Sequence, residues 1–252
     1  MKTIIWREFK TVITSGLSVV LHFVAPLFLL VFFATVFGRN LSAFSYEGMS
    51  VNYLDYFTPG LVGFVTFMTF QIALTFVRHD KMSGMLGIIV LSHGGLKEYV
   101  GGKIVAQSVV NMVKVIILIM LALIISQGEV AVAHVANALV LGVTVLLGTI
   151  VWLSLGLAIG LMMKRDDLRE ILVMLVSMPL TFSSTMYYDI SKAPSWIQAI
   201  STINPLTYTC NSARQAYLVS ASNFFSFDML ILILMALASL GISLYVSKNG
   251  DY

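Results

Sequence analysis

The chain has 252 residues, of which 58% are hydrophobic and 11% are charged. Soluble domains carry about 25% charged residues, and a soluble protein of this length has too little interior to hide so much apolar sequence. The composition therefore predicts an integral membrane protein. The formal net charge of +3 is too small to indicate a nucleic-acid partner, and the single cysteine, Cys210, excludes an intrachain disulfide.

Residues 1–15 predict an amphipathic helix that lies in the membrane interface. Apolar residues at positions 5, 9, 12 and 13 have the spacing of one helix face, and basic residues stand between them. The alternative is the start of a signal peptide. The apolar run that follows is too long for a typical signal-peptide core and lacks a clear cleavage site, which favours the interfacial helix.

Six apolar segments follow, and each is interpreted as a transmembrane helix because about 20 residues cross the hydrocarbon core. They are 17–37, 58–77, 104–126, 135–163, 171–186 and 229–246. The fifth is short, and Pro179 interrupts it. The predicted fold class is an all-α integral membrane protein with six transmembrane helices, and residues 1–252 form a single domain.

Residues 187–227 contain two shorter stretches with helical periodicity, at about 194–203 and 205–219. Each begins with proline at a suitable first helical position, and Asn204 suits the N-cap of the second. Because neither can span, the pair predicts a re-entrant or interfacial hairpin between the fifth and sixth spans. Its tyrosines and Trp196 are typical of an aromatic belt. They either anchor the hairpin or help it to close an exit.

The positions of the basic residues predict the orientation. With six spans, both termini lie on one side together with 78–103 and 164–170. These segments hold eleven Lys and Arg residues, against three on the other side. By the positive-inside rule they are cytoplasmic and the hairpin is external. The protein is therefore predicted in the cell (inner, cytoplasmic) membrane with both termini in the cytoplasm.

The segment 78–103, RHDKMSGMLGIIVLSHGGLKEYVGGK, is charged and rich in glycine, yet it contains an apolar patch at 85–91. A solvated loop does not need such a patch, whereas a helix seated in a partner's groove does. The closing Gly-Lys resembles the end of a phosphate-binding loop. However, Lys97 and Ile104 stand where that motif needs Gly and Ser or Thr, so the chain is not expected to bind ATP itself.

Neither a metal site nor a catalytic site is predicted. The four histidines lie apart and without ligand spacing, at positions 22, 79, 93 and 134. Asp166 and Asp167 are adjacent, so their side chains diverge on a helix and balance their basic neighbours rather than forming an acid–base pair. An intramembrane enzyme therefore has no reactive cluster to support it.

Polar side chains form a stripe along the third span, at Lys103, Gln107, Asn111 and Lys114. An ionisable residue inside a membrane usually faces protein or a wet cavity, and it marks a candidate functional site. The alternative is that Lys114 pairs with a neighbouring helix or extends toward the cytoplasmic surface. A weaker hydroxyl stripe follows the fifth span at Ser177, Thr181 and Ser184. Such faces serve helix packing or line a route for an amphipathic solute.

Taken in order, these landmarks resemble the membrane subunit of type-2 ABC exporters, a permease family that includes drug, polysaccharide and lipid-linked glycan exporters. YFTPGL at 56–61 is similar to the family's Y-x-x-F-x-x-P-G-L region, and 78–103 to its R-E…G-T-L-E…P…G-K segment. GLAIG at 156–160 also fits, as does NPLTY at 204–208 followed by Arg214. The departures lie mainly within 78–103.

The resemblance implies two permease subunits, either copies of this chain or a paralogous pair, and two copies of a separate ATPase subunit that uses ATP and Mg. No cofactor is implied in this chain. The implied ATPase-coupling residues are Arg78, Met85, Leu86, Leu91 and Lys103. The pathway candidates are Gln107, Asn111, Lys114, Ser177, Thr181 and Ser184. The implied external gate consists of Trp196, Asn204, Pro205, Tyr208 and Arg214.

The predicted function is export of an amphipathic small molecule, drug-like or lipid-like, driven by ATP hydrolysis in the partner; the chain itself is not an enzyme. One alternative is export of a polysaccharide or lipid-linked glycan by the same mechanism. Another is an ion-coupled secondary transporter that uses Lys114 or His22. The candidate pathway has few charges to hold an ion, which favours the amphipathic substrate.

Overall fold

The computed structural model describes residues 2–14, 16–37, 44–46, 49–92, 95–125, 138–163, 168–219 and 226–249. Within these ranges the chain is almost entirely helical. The helices in chain order are α1 Lys2–Thr14, α2 Gly16–Phe37, α3 Tyr53–Met82, α4 Met85–Leu91, α5 Gly95–Ile125, α6 Ala138–Met162, α7 Leu168–Phe182, α8 Ser195–Ile203, α9 Pro205–Leu218 and α10 Phe227–Asn249. The helical class is confirmed.

One small element was not predicted. Two three-residue strands, β1 (Phe44–Tyr46) and β2 (Met49–Val51), pair antiparallel between α2 and α3, with Phe44 opposite Val51. They occupy the polar connection that follows the first predicted span. A strand pair this short adds little stability of its own, so the hairpin serves as a connection rather than as a core.

Four of the described helices are long and apolar enough to cross a membrane, namely α3, α5, α6 and Phe227–Lys248 of α10. Shorter apolar helices at Phe23–Phe37 and Val173–Phe182 lie where the first and fifth spans are predicted. The chain thus has the helices of a multi-pass membrane protein. The count of six spans and the re-entrant hairpin stay predictions.

The centre of the bundle is the close contact between α3 and α6. A Cβ atom placed on Gly156 would lie 2.6 Å from the carbonyl oxygen of Phe70 and 2.7 Å from the Cβ of Ala73. One turn later, Gly160 faces Val77 in the same way, at 3.1 Å. Small residues spaced four apart allow helix backbones to approach closely in lipid. The sequence GLAIG therefore sets how near α6 can come to α3.

Glycines on α3 allow two other parts of the chain to approach it closely. A Cβ on Gly60 would meet the Met186 carbonyl oxygen at 2.6 Å, and a Cβ on Gly63 would meet the Cys210 sulfur at 2.5 Å. Met186 belongs to the segment after α7, and Cys210 to α9. As a result α3 is enclosed along most of its length.

The outward faces of the flanking helices are apolar while the interior holds the polar side chains. On α5, the exposed side chains include Val109, Val113 and Ile116, whereas Asn111 on the opposite side is buried. A water-soluble bundle has the reverse arrangement. This distribution is the one expected for helices whose surroundings are lipid.

The helix within the predicted span 171–186 ends before the span does. The helix α7 stops at Phe182, so Ser184 lies in a buried turn and not on the helical stripe assigned to it. The Ser184 hydroxyl donates to the Thr181 carbonyl oxygen at 2.7 Å and accepts from the Met186 N–H at 3.3 Å. A hydroxyl that bonds the backbone on both sides competes with helix continuation.

The contact between α3 and α6 can be tested with Gly156→Ala. Because the added methyl group meets backbone atoms of α3, we expect a loss of about 1–3 kcal/mol in stability, seen as a lower midpoint of thermal unfolding in detergent. The control is Gly142→Ala in the same helix, whose Cβ would meet nothing nearer than Met112 Cε at 3.8 Å. Equal midpoints for the two variants would contradict the close contact.

Candidate functional site

The short helix α4 presents an apolar face to the outside. It begins after Gly84, whose φ of +70° is a conformation that glycine adopts without strain. The inner side chains Leu86 and Ile89 are buried. The outer side chains Ile88 and Leu91 are 66% and 89% exposed. An exposed apolar face of this kind marks an interaction surface.

The coupling residues predicted in this region fall into two groups. Leu91 lies on the exposed face of α4, whereas Leu86 packs inward and Met85 is half-buried against the same interior cluster. Arg78, near the end of α3, is also half-buried. Lys103 has no exposed side-chain surface at all. Any part that Lys103 plays in coupling must therefore be indirect.

A charge cluster forms where α1, α3 and α5 meet, and it consists of Arg7, Glu8, Asp80, Tyr99 and Lys103. The Lys103 Nζ lies 2.8 Å from Glu8 Oε1 and 3.3 Å from Asp80 Oδ2. Arg7 Nη2 contacts Asp80 Oδ1 and lies 3.3 Å from Glu8 Oε1. The Tyr99 hydroxyl donates to Asp80 Oδ2 at 2.8 Å. Two carboxylates thus face two cations, and of these four side chains only that of Arg7 is partly exposed.

Asp80 stabilises the charged form of Arg7. Burial lowers the pKa of Arg7, but the coulombic attraction and the hydrogen bond of Asp80 outweigh it, and the pKa is raised above its ordinary value. The ammonium of Lys103 also lies 4.0 Å from the centre of the Phe76 ring, a cation–π contact. Glu8 and Asp80 are not among the site residues predicted from the sequence. The one local signal was that Tyr99 and Lys103 share a face of α5.

Lys81 joins the end of α3 to the end of α6. Its Nζ donates to the carbonyl oxygens of Gly160, Leu161 and Met163 at 3.0, 2.9 and 2.9 Å. The last carbonyls of a helix have no partner within the helix, and a lysine is a favourable cap for them. Asp80 and Lys81 are neighbours in the chain, so one turn of α3 contacts α1, α5 and α6.

The polar stripe of α5 faces protein. Gln107, Asn111 and Lys114 are all buried. Asn111 Nδ2 donates to Thr149 Oγ1 of α6 at 2.9 Å, and Gln107 Nε2 lies 3.5 Å from Asn111 Oδ1. The Lys114 Nζ lies 5.8 Å from the centre of the Phe23 ring of α2. The stripe therefore packs α5 against α6 and α2.

The pathway candidates of α7 lie at its contact with α3. Gln71 Nε2 donates to Ser177 Oγ at 3.3 Å. The Thr181 hydroxyl donates to the carbonyl oxygen of Ser177 within its own helix. The other side of α7 is exposed and apolar, with Met174 and Met178 one turn apart. The structure does not bring the α7 hydroxyls and the α5 stripe together into one described contact.

Asn204 connects the end of α7 to the start of α9. Its Oδ1 accepts from the Leu206 N–H at 3.0 Å, which confirms the predicted N-cap. Its Nδ2 donates to the Leu180 carbonyl oxygen at 2.7 Å and to Ser183 Oγ at 3.3 Å. One buried amide thus supplies a donor to the terminal carbonyl of one helix and an acceptor to the first turn of the next. Pro205 follows at the first helical position.

Arg214 is buried between α9, α3 and the segment that follows α7. Its Nη2 donates to the Thr185 carbonyl oxygen at 2.8 Å and its Nε to the Tyr56 carbonyl oxygen at 3.3 Å. The guanidinium also stacks 3.8 Å from the centre of the Tyr56 ring. Of the predicted gate residues, Asn204 and Arg214 are therefore interior. Trp196 is 65% exposed on α8, and the half-buried Tyr208 donates to the Thr202 carbonyl oxygen.

Some sequence predictions fall outside the described residues. They concern His93, His134, Asp166 and Asp167, and most of the basic loop 164–170. Among the residues that the structure does describe, no group of three or more His, Cys, Asp or Glu side chains could hold a metal ion.

Comparison with known proteins decides the family. Residues 1–218 match the family model described as ABC-2 type transporter. The chain belongs to this family. It is also similar to the transport permease ycf38 of Cyanophora paradoxa, with 23% identity over 202 residues, 76% of this chain and 65% of the relative. The ycf38 permease of Porphyra purpurea is 31% identical over 88 residues, 35% of this chain and 30% of that protein. This ABC-2 chain thus spans less than two thirds of the length of the curated relatives it matches.

Asn204 forms a joint between α7 and α9 through its hydrogen bonds to both, and this joint can be tested with Asn204→Ala. Loss of the cap costs about 1–2 kcal/mol, and the buried Leu180 carbonyl loses its donor, so we expect a clear drop in the thermal unfolding midpoint. Asn52→Ala is a matched control, because Asn52 occupies the N-cap of α3 but makes no side-chain capping hydrogen bond. A drop of the same size in both variants would argue against the joint.

Proposed function

We propose that this chain is the permease subunit of an ABC transporter and that a separate ATPase subunit supplies the energy. Membership of the ABC-2 type transporter family supports this proposal. The observation that carries it is the outer face of α4, where Ile88 and Leu91 stand exposed. A short apolar helix face is suited to the groove of a partner protein.

The packing of α4 explains how such a partner would act on the bundle. Its inner residues Leu86 and Ile89 belong to a buried cluster that includes Val77 of α3, Tyr99 of α5 and Leu157 of α6. Side chains in a close-packed interior transmit displacement rather than absorbing it. A displacement of α4 is therefore transmitted to α3, α5 and α6 together, as the movement of rigid spans requires.

The proposed assembly has two permease subunits and two ATPase subunits. The second permease is another copy of this chain or a paralogue. It packs on the exposed apolar faces of α2 and α7, where Phe28 and Leu175 are prominent. The proposed topology has six spans in the cell membrane, both termini and α4 in the cytoplasm, and the α8–α9 hairpin outside. The basic residues on the α4 side support this orientation.

The proposed substrate is an amphipathic small molecule moved out of the cytoplasm. Residues 171–182 of α7 contain no charged residue, and they offer Ser177 and Thr181 as hydroxyls among apolar side chains. Flexible methionines such as Met174 and Met178 suit surfaces that accept varied partners. A polysaccharide or lipid-linked glycan is the alternative cargo.

A second candidate function rests on Lys114. A buried lysine inside a span is a residue of the kind that ion-coupled transporters use. That alternative predicts transport that follows a proton or ion gradient and continues without ATP. Transport assays in vesicles with and without ATP, and with and without an ionophore, separate the two functions.

The docking face can be tested with Ile88→Asp. A charge placed in an apolar groove and the loss of one buried isoleucine predict binding to the ATPase about tenfold or more weaker, measured by co-purification with the ATPase from the native host. Ile203→Asp is the control, because Ile203 is 73% exposed on α8 at the opposite end. Normal ATPase binding by Ile88→Asp would refute this docking face.

The gate assignment can be tested with Trp196→Ala. If the α8–α9 hairpin closes an exit, we expect slower ATP-driven export of an amphipathic fluorescent dye from membrane vesicles, with co-purification of the ATPase unchanged. Phe227→Ala is the control, since Phe227 is an exposed aromatic residue at the start of α10, outside both hairpin helices. Loss of ATPase association in Trp196→Ala would contradict the gate.

A further inference from the structure

The charge cluster joins three helices that are distant in sequence. The bond between Lys103 and Glu8 links α5 to α1, and Asp80 of α3 is bonded to Arg7, Tyr99 and Lys103. Helices in a membrane need only small or hydroxyl residues to pack. Packing alone therefore does not require four charges at one junction, and we assign them the role of holding α1, α3 and α5 together.

One member of the cluster, Asp80, lies shortly before α4 in the chain. Asp80 is followed by the last residues of α3 and by Ser83 and Gly84, after which α4 begins. The Ser83 N–H donates to the His79 carbonyl oxygen at 3.0 Å, and the Ser83 hydroxyl lies 3.4 Å from the Asp80 carbonyl oxygen. Ser83, which links α3 to α4, is thus hydrogen-bonded to the turn of α3 that carries Asp80.

The composition of the cluster opposes its separation. The side chains of Asp80 and Lys103 are 2% and 0% exposed, and the two carboxylates match the two cations. Removing one partner from a buried ion pair leaves an uncompensated charge, which is strongly unfavourable. A change of state that pulled α1, α3 and α5 apart would have to expose or strand at least one of these charges.

We propose that the charge cluster makes the cytoplasmic ends of α1, α3 and α5 move with α4 as one rigid body during transport. Arg7, Glu8, Asp80, Tyr99 and Lys103 are then positioning residues that carry the displacement of α4 into the spans. This inference rests on the proposed function, because the partner ATPase is what moves α4. The helix α7 meets this body through the neutral hydrogen bond from Gln71 to Ser177, and we expect it to shift relative to the body.

The first measurement uses pairs of spin labels on the otherwise intact chain. Cys210 is fully buried, so introduced cysteines are labelled selectively. One pair, Lys10→Cys and Lys97→Cys, lies on exposed positions of α1 and α5 within the proposed body. The other, Lys10→Cys and Ile171→Cys, reports the position of the body relative to α7. Labelled chain is mixed with excess unlabelled chain before the ATPase is added.

The rigid-body proposal predicts opposite results for the two pairs. The distribution of α1–α5 label distances is narrow in the isolated chain, and its mean is the same in the nucleotide-free and ATP-trapped complexes. The α1–α7 distance shifts between those two states. An α1–α5 distance that changes with nucleotide overturns the proposal, and so does an α1–α7 distance that does not change.

Variants test whether the charge cluster itself is responsible. In Lys103→Met, we expect a broadened α1–α5 distance in the isolated chain and loss of the nucleotide-dependent α1–α7 shift, with the ATPase still bound through α4. Lys248→Met, an exposed lysine at the end of α10, is the control and behaves as wild type. If Lys103→Met does not fold, Asp80→Asn, which keeps the side-chain shape, replaces it.

The outcomes also separate this proposal from the proposed function. A wild-type chain that binds no ATPase refutes the proposed function, whatever the labels show. A complex that forms normally, but in which Lys103→Met and Asp80→Asn keep the full α1–α7 shift, refutes the role of the charge cluster alone. Persistence of the narrow α1–α5 distance in both variants also overturns it.

Discussion

The close approach of α6 to α3 at Gly156 is the constraint on which the rest of this bundle depends. In lipid the hydrophobic effect does not drive helices together, so their association depends on close van der Waals packing and on polar bonds. Gly156 and Gly160 provide the proximity, and Lys81 adds three bonds to the α6 terminus just beyond. With α6 fixed in this way, α3 becomes an enclosed rod that runs from Tyr56 to Asp80.

The two ends of this rod are held by different chemistry. At the Tyr56 end, the guanidinium of Arg214 is satisfied by carbonyl oxygens and an aromatic face. At the Asp80 end, opposite charges meet directly. Both ends therefore place a buried charge at a helix junction. The Arg214 guanidinium has only neutral carbonyl oxygens and an aromatic ring as the partners described here, whereas Asp80 and Lys103 neutralise each other directly.

Sequence alone predicted the parts of this fold that depend on neighbours in the chain. The start of α9 followed from Asn204-Pro205, because capping and proline geometry are local. The charge cluster did not follow, since Glu8 and Arg7 find their partners 95 and 73 residues away, at Lys103 and Asp80. A glutamate on an amphipathic helix is expected to face water. Only the tertiary packing of α1 against α5 turns it inward.

The helices are attached to one another unequally, and this determines which of them we expect to move in the proposed transport cycle. On its long side α7 is bonded to α3 through Gln71 and Ser177, and at its end Asn204 holds the Leu180 carbonyl. Both contacts are single neutral hydrogen bonds, worth about 0.5–1.5 kcal/mol each. The opposite end of α3 is held by several charged bonds. In the proposed cycle, we therefore expect a displacement that starts at α4 to be accommodated between α3 and α7, beside Ser177 and Thr181.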